Sequence, residues 1–276
     1  MRHIAAVALA LVLGIGVGYG GWRLWMKSSD LLRPVVVLRN ADAATVIEPA
    51  LTTRIAALTS AVRPPPEDRS RLVVLTFDDG PYPVATPLLL QTLHDLKVPA
   101  TFFLIGRDAQ QFPALTRAIA AGGHEIGDHT LTHPDLDQLS DAAVRSELRG
   151  GALALRRIAP QAGESRLFRP PHGRYTLATI QTAQAAGFNT ILWTDDPGDW
   201  RAIPGDALLA HVVNHATAPE VLLLHSGRIA TVSMLPELVA RYRASGYRFV
   251  TVGTLLRSAA AAELNRPAKI SLVLGT

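Results

Sequence analysis

The stretch RLVVLTFDDGPY, residues 71–82, decides how the chain reads. An apolar run, Leu72 to Leu75, passes through Thr76 and Phe77 into two adjacent carboxylates, Asp78 and Asp79, and a Gly-Pro turn follows at once. The run reads as a buried strand, and two like charges at its end need a reason. Downstream the pattern alternates. Strands are expected at 72–77, 100–106, 124–129, 166–169, 189–193, 220–225 and 247–252. Amphipathic helices are expected near 86–97, 108–121, 139–158, 176–187, 205–215 and 232–245. Such alternation predicts a parallel α/β fold, as a barrel or a doubly wound sheet. In either architecture catalytic groups gather at the C-terminal ends of strands. Asp78, Asp79, His129, Arg169, the 195–200 segment and His225 all stand at such ends.

The 276 residues are 48% hydrophobic, enough for one large domain with extensions. There is no Cys, which excludes disulfides and thiolate metal sites. Of the formal net charge of +4, most sits in residues 1–33, where Arg2, Arg23, Lys27 and Arg33 face only Asp30. The rest of the chain is close to neutral and has no basic stripe interleaved with aromatics, so nucleic-acid binding is not expected. An apolar run from Ile4 to Gly21, flanked by Arg2 and by Trp22, Arg23, Trp25 and Lys27, has the length of a short membrane span. The bulky, charged GYGGWRLW that ends it offers no A-x-A cleavage site. Residues 1–27 are therefore expected to be an uncleaved anchor, in contact with the membrane through residues 4–21, with the rest exported towards the cell envelope. A cleaved signal and a secreted or periplasmic product is the alternative. Charge after the run rivals charge before it, which weakens the orientation argument. RPVVVLRN reads as a short strand, followed by a helical stalk and the Pro-rich linker RPPPEDRS. Residues 28–70 are thus stalk and linker, 71–256 the main domain and 257–276 a C-terminal extension.

Four further stretches carry chemistry. GHEIGDHTLTHPDL, 123–136, holds His129 and His133 at H-x3-H spacing. Two imidazoles and one carboxylate suit a divalent ion, and one Asp of the pair can ligate it while the other stays close by as a base. FRPPHGRY, 168–175, is a rigid loop that can present a backbone N–H to an oxyanion. TDDPGDW, 194–200, supplies three Asp and one Trp. EVLLLHSG, 220–227, ends an apolar strand in His225, where a general acid would suit. Each alone has a plain reading: an ordinary turn, a solvated acidic loop, a core histidine. The H-x3-H pair His211 and His215 lies in an expected amphipathic helix with no nearby Asp motif, and is read as non-functional, as are His3, His94 and His124.

Together these stretches resemble the polysaccharide deacetylase family, also called the NodB-homology or carbohydrate esterase 4 family, over about residues 71–255. The resemblance implies a distorted (β/α) barrel of seven or eight strands. It implies metal-dependent removal of N-acetyl, or O-acetyl, groups from a polymer such as peptidoglycan, chitin-type oligomers or an exopolysaccharide. By motif, Asp78 would be the base, with Asp79, His129 and His133 as metal ligands. Zinc is expected, with cobalt, nickel or manganese as alternatives. Arg169 would orient Asp78, and the backbone N–H of His172 would help hold the oxyanion. Asp196 would orient the acid, His225, and Trp200 and Leu223 would line the acetyl pocket. The chain departs from the family at His172, where Tyr is common, at Asp128, where Asn is common, and at Ser226, where Asp is frequent. Asp128 would then add negative charge near the metal, and His172 and Ser226 would alter substrate contacts. A non-catalytic carbohydrate-binding protein on the same fold, or a hydrolase of a different small amide, is the alternative.

Overall fold

The computed structural model describes residues 37–38, 71–160, 166–216 and 219–264. The expected anchor and stalk lie outside these residues, except for β1 (Val37–Leu38), which falls in the strand expected at RPVVVLRN. Among the described residues no helix is long and apolar enough to cross a membrane. The main domain alternates as its periodicity requires: β2 (Leu72–Asp78), α1 (Ala85–Leu96), β3 (Thr101–Leu104), α2 (Gly106–Gln111), α3 (Pro113–Ala121), β4 (Glu125–Asp128) and α4 (Asp141–Ile158). Then come β5 (Leu167–Phe168), α5 (Leu177–Ala185), β6 (Asn189–Ile191), α6 (Gly205–His215), β7 (Glu220–His225), α7 (Ile229–Ala244), β8 (Arg248–Phe249) and α8 (Val252–Leu264).

These strands form one eight-stranded sheet in the order β1-β6-β5-β4-β3-β2-β7, with β8 paired to β2. Every pairing is parallel except β1 with β6. The sheet curls until Asp195, just beyond β6, bridges to Leu222 of β7. One isolated bridge in place of a ladder is what makes the barrel distorted. β2 is buried along its whole length because both faces are covered. Its residues divide with the period of two that a strand imposes. Val73, Leu75 and Phe77 pack outwards on the helices, with Leu89, Leu93, Leu235 and Leu238. Leu72 and Val74 point into the barrel, with Phe103, Leu167, Ile191 and Val221, and Val252 and Leu255 of α8 close that end. The carboxylates of Asp78 and Asp79 stand at the other end.

Of the boundaries that differ from the sequence reading, three change an element's identity or extent most. The helix expected over 108–121 is two, because Pro113 has no N–H for the preceding turn and restarts the helix as its first residue. The last strand is only Arg248–Phe249. The residues after it start α8, which runs through position 256, where the C-terminal extension was expected to begin. His124, read as non-functional, is a core histidine. Its Nδ1 accepts the Ala100 N–H, and burial brings its pKa down to about 4, so the ring is neutral.

Candidate active site

In a regular strand adjacent side chains point to opposite faces. Asp78 and Asp79 both reach the same rim because the chain leaves the strand between them: Asp79 has φ 69°, in the left-handed region. Thr130, His133 and His172 share that conformation. Each such residue costs about 1–3 kcal/mol, so their concentration in the loops of one rim marks a built site. Gly80, at φ +72°, completes the turn, and a Cβ there would lie 2.8 Å from Ser226 Oγ. Ser226 is buried. Its hydroxyl donates to the carbonyls of Asp78 and Asp79, at 3.2 and 3.0 Å, and so fixes the turn that carries the acidic pair.

His129 and His133 turn their Nε2 atoms towards each other at 3.2 Å. Asp79 Oδ1 lies 3.2 Å from His133 Nε2 and 3.7 Å from His129 Nε2. Ligand bonds of about 2.0–2.2 Å place coordinating atoms roughly 3–3.5 Å from one another, so the three atoms fit one divalent ion. His129 Nδ1 donates to the Arg169 carbonyl at 2.8 Å, which leaves its Nε2 lone pair for an ion. Burial opposes charge on His129 and lowers its pKa, against the pull of Asp78 and Asp79. Burial also acts against the Asp79 carboxylate, but the His133 hydrogen bond and the neighbouring imidazoles outweigh it and bring the pKa down to about 2. The donor set is thus two imidazoles and one carboxylate, with the Asp79 carboxylate held ionised as ligation requires.

Arg169 is entirely enclosed. Its Nη1 donates to Asp78 Oδ1 and to Thr76 Oγ1, both at 2.7 Å. Nε and Nη2 reach the carbonyls of Ile191 and Leu192, and the guanidinium lies over the Phe103 ring at 4.2 Å. Arg169 thus holds one oxygen of Asp78 in a fixed position. Asp78 Oδ2 remains on the open side, 3.8 Å from His129 Nε2.

His225 is the strand-register partner of Asp78 across β2 and β7, so the two stand side by side at the ends of neighbouring strands. Its partner is Asp199 and not Asp196, which corrects the sequence reading. Asp199 Oδ1 is 2.7 Å from His225 Nδ1, and Oδ2 accepts from the His225 backbone N–H at 2.8 Å and from Thr231 Oγ1 at 2.6 Å. Asp196 instead accepts the Gly198 N–H in a local Asx turn, three residues short of the carboxylate that reaches β7. Burial works against a charged His225, but Asp199 and the acidic pair outweigh it and raise its pKa. A carboxylate aimed at a strand-end histidine was the signal available; which of three Asp would supply it depends on a turn that composition does not specify.

The remaining expected residues lie as follows. His172 has φ 55°, and its N–H has no acceptor among the described residues. Its ring meets His133 edge-on at 4.5 Å, and Nδ1 is 2.7 Å from Asp135 Oδ1. Leu223 is buried beside Thr76 in the β2–β7 register. Trp200 stays 45% exposed, with the Arg201 guanidinium 4.6 Å over its ring. Asp128 is fully buried, one carboxyl oxygen accepting the Thr130 N–H and the other unpartnered. Burial raises its pKa well above the usual carboxylate range. Burial thus works against the negative charge expected there, while the Thr130 N–H favours it. His211 does have an acidic neighbour, contrary to the sequence reading: Asp195 Oδ1 lies 3.1 Å from its Nε2. No third ligand atom joins them in a metal-sized cluster among the described residues.

Residues 66–191 match the family model described as polysaccharide deacetylase. A peptidoglycan-N-acetylglucosamine deacetylase of Bacillus cereus is 39% identical over 196 residues, which cover 69% of this chain and 90% of the relative. A chitooligosaccharide deacetylase of a Bradyrhizobium species is 42% identical over 159 residues, covering 57% and 72%. Among solved structures, a mutant of the Bacillus anthracis CE4 family pseudoenzyme BA3943 with restored enzymatic activity has a TM-score of 0.65 and 28% identity, over 69% of each chain. Identity at the level of the first relative, across nine-tenths of its length, far exceeds what a shared barrel imposes: the chain belongs to the polysaccharide deacetylase family, carbohydrate esterase 4, and is a carbohydrate deacetylase of that family.

Proposed function

We propose that the protein is a metal-dependent hydrolase that removes N-acetyl groups from a polymer containing N-acetylglucosamine. The observation that supports this reading is the register of Asp78 against His225, which stands a carboxylate and an imidazole side by side, next to the cluster of Asp79, His129 and His133. Those three residues would hold the ion, and two imidazoles with one carboxylate favour zinc. A bound divalent ion supplies polarisation of the acetyl carbonyl and a lowered pKa for water.

The chain's own groups do the rest. Asp78 Oδ2 takes the proton of the attacking water, while Arg169 fixes Oδ1. The His172 N–H faces the developing oxyanion. The amine leaves only as a neutral species, so His225 Nε2 donates a proton to it, with Asp199 holding the Nδ1–H. Names of relatives supply two candidate polymers, peptidoglycan and chitooligosaccharide. The apolar run 4–21 supports export and an envelope polymer. The test is acetate release from N-acetylglucosamine oligomers, peptidoglycan and acetylated xylan, with chelator and with added zinc. Chelator-sensitive release is expected; no release from any of them would overturn the reading.

Asp199→Asn tests the acid. Protonated His225 is the active form, so turnover falls as pH rises through its raised pKa. Without the Asp199 charge, the alkaline limb of the kcat/KM profile is expected to move to lower pH, and kcat to fall roughly 10²-fold. A limb that stays in place would assign it to another group.

A further inference from the structure

We propose that Tyr82 is a substrate-contacting residue of the catalytic rim: its ring takes the apolar face of a sugar ring, and its hydroxyl donates to a hydroxyl of the same glycan strand. Tyr82 ends the stretch that opens with β2, three residues beyond Asp79. Pro81 and Pro83 flank it, and a residue before proline is restricted to extended backbone. Its carbonyl accepts the Thr86 N–H at 3.0 Å, and its own N–H donates to Thr86 Oγ1 at 2.8 Å. Thr86 is fully buried in the first turn of α1. The backbone of Tyr82 is therefore fixed on the body of the domain, and little freedom is left for a ligand to remove.

The ring reaches back to the rim. A Cβ on Gly227 would lie 2.7 Å from the Tyr82 ring, and one on Gly80 would lie 3.0 Å from it. Gly80 belongs to the turn that carries Asp79, and Gly227 stands two residues beyond His225. The ring thus packs on the backbone of both segments, the one that presents the candidate metal ligand and the one that presents the candidate acid. Tyr82 still keeps 37% of its surface open, and its hydroxyl makes no hydrogen bond among the described residues. Burial of the remainder, with the charges of Asp79 and Asp108, raises its pKa to about 12 against the pull of Arg228. Below that pH the phenol is protonated and donates a hydrogen bond.

A sugar ring offers a face of C–H groups and an edge of hydroxyls. A phenol held at the edge of a carbohydrate site matches both, with a flat apolar body and a polar tip. No group assigned to the chemistry bonds to the Tyr82 side chain, so its contribution belongs to substrate binding and not to the chemical step.

This inference rests on the deacetylase reading, and the test separates the two. For the full-length protein and its Tyr82→Ala and Tyr82→Phe variants, kcat and KM are measured on N-acetylglucosamine oligomers and on soluble peptidoglycan fragments. KM is expected to rise about tenfold in Tyr82→Ala, with kcat within about twofold of the parent. Tyr82→Phe keeps the ring and loses the hydroxyl, and a rise of about threefold is expected. Calorimetric titration of the chelator-treated proteins with the same glycans reads binding without turnover, and the same losses of affinity are expected there. Unchanged KM and affinity in Tyr82→Ala would overturn the proposal, as would a fall in kcat with KM unchanged. Weaker binding by Tyr82→Ala, from a parent that releases no acetate, would keep the role of Tyr82 and overturn the hydrolase reading. No binding of either glycan by the parent would overturn both.

Discussion

Asp79→Ala is expected to lose divalent-metal binding and acetate release together. Asp79 would supply the one carboxylate of the three candidate ligand atoms, and its oxygen lies 3.2 Å from His133 Nε2. Alanine would leave two imidazoles and no negative charge against the ion. The stabilisation at stake is several kcal/mol, on the order of 10³-fold in kcat/KM. Zinc titration by calorimetry reads the affinity directly, without any turnover. Full affinity in the variant would show that the ion sits elsewhere. Full activity without bound metal would remove the metal from the chemistry.

The second large effect is on the fold itself. Arg169→Leu would leave Asp78 as an uncompensated charge in the barrel, and would deprive the carbonyls of Ile191 and Leu192 of their guanidinium donors. Breaking a buried pair from one side costs about 3–5 kcal/mol. Urea unfolding should show a loss of that order, together with loss of turnover. Adding Asp78→Asn in the same background is expected to recover part of the stability, because the orphaned charge is gone. A loss below about 1 kcal/mol would mean that the guanidinium is not what holds this layer of the barrel.

Much of this was legible along the chain. The apolar run of β2, followed by carboxylates and a turn, announced a parallel strand ending at a site. The H-x3-H spacing at His129, the rigid Arg169 loop and His225 at the end of β7 announced their partners. Each of these signals is local: strand burial, turn chemistry and ligand spacing act over a few residues, so one sequence displays them. What depended on long-range placement was not legible. Three carboxylates in TDDPGDW look alike, and only the turn closed by Asp196 on Gly198 aims Asp199 at His225. Asp128 looks like an ordinary surface charge until the fold buries it without a cation and pushes its pKa up. Ser226 looks like a substrate contact until β2 and β7 pair and bring its hydroxyl onto the Asp78–Asp79 turn. The sequence by itself determined which residue types would meet at the rim. Tertiary structure decided which oxygen faces which nitrogen, because parallel strands 147 residues apart are set in register by the packing of a whole sheet and by no local preference.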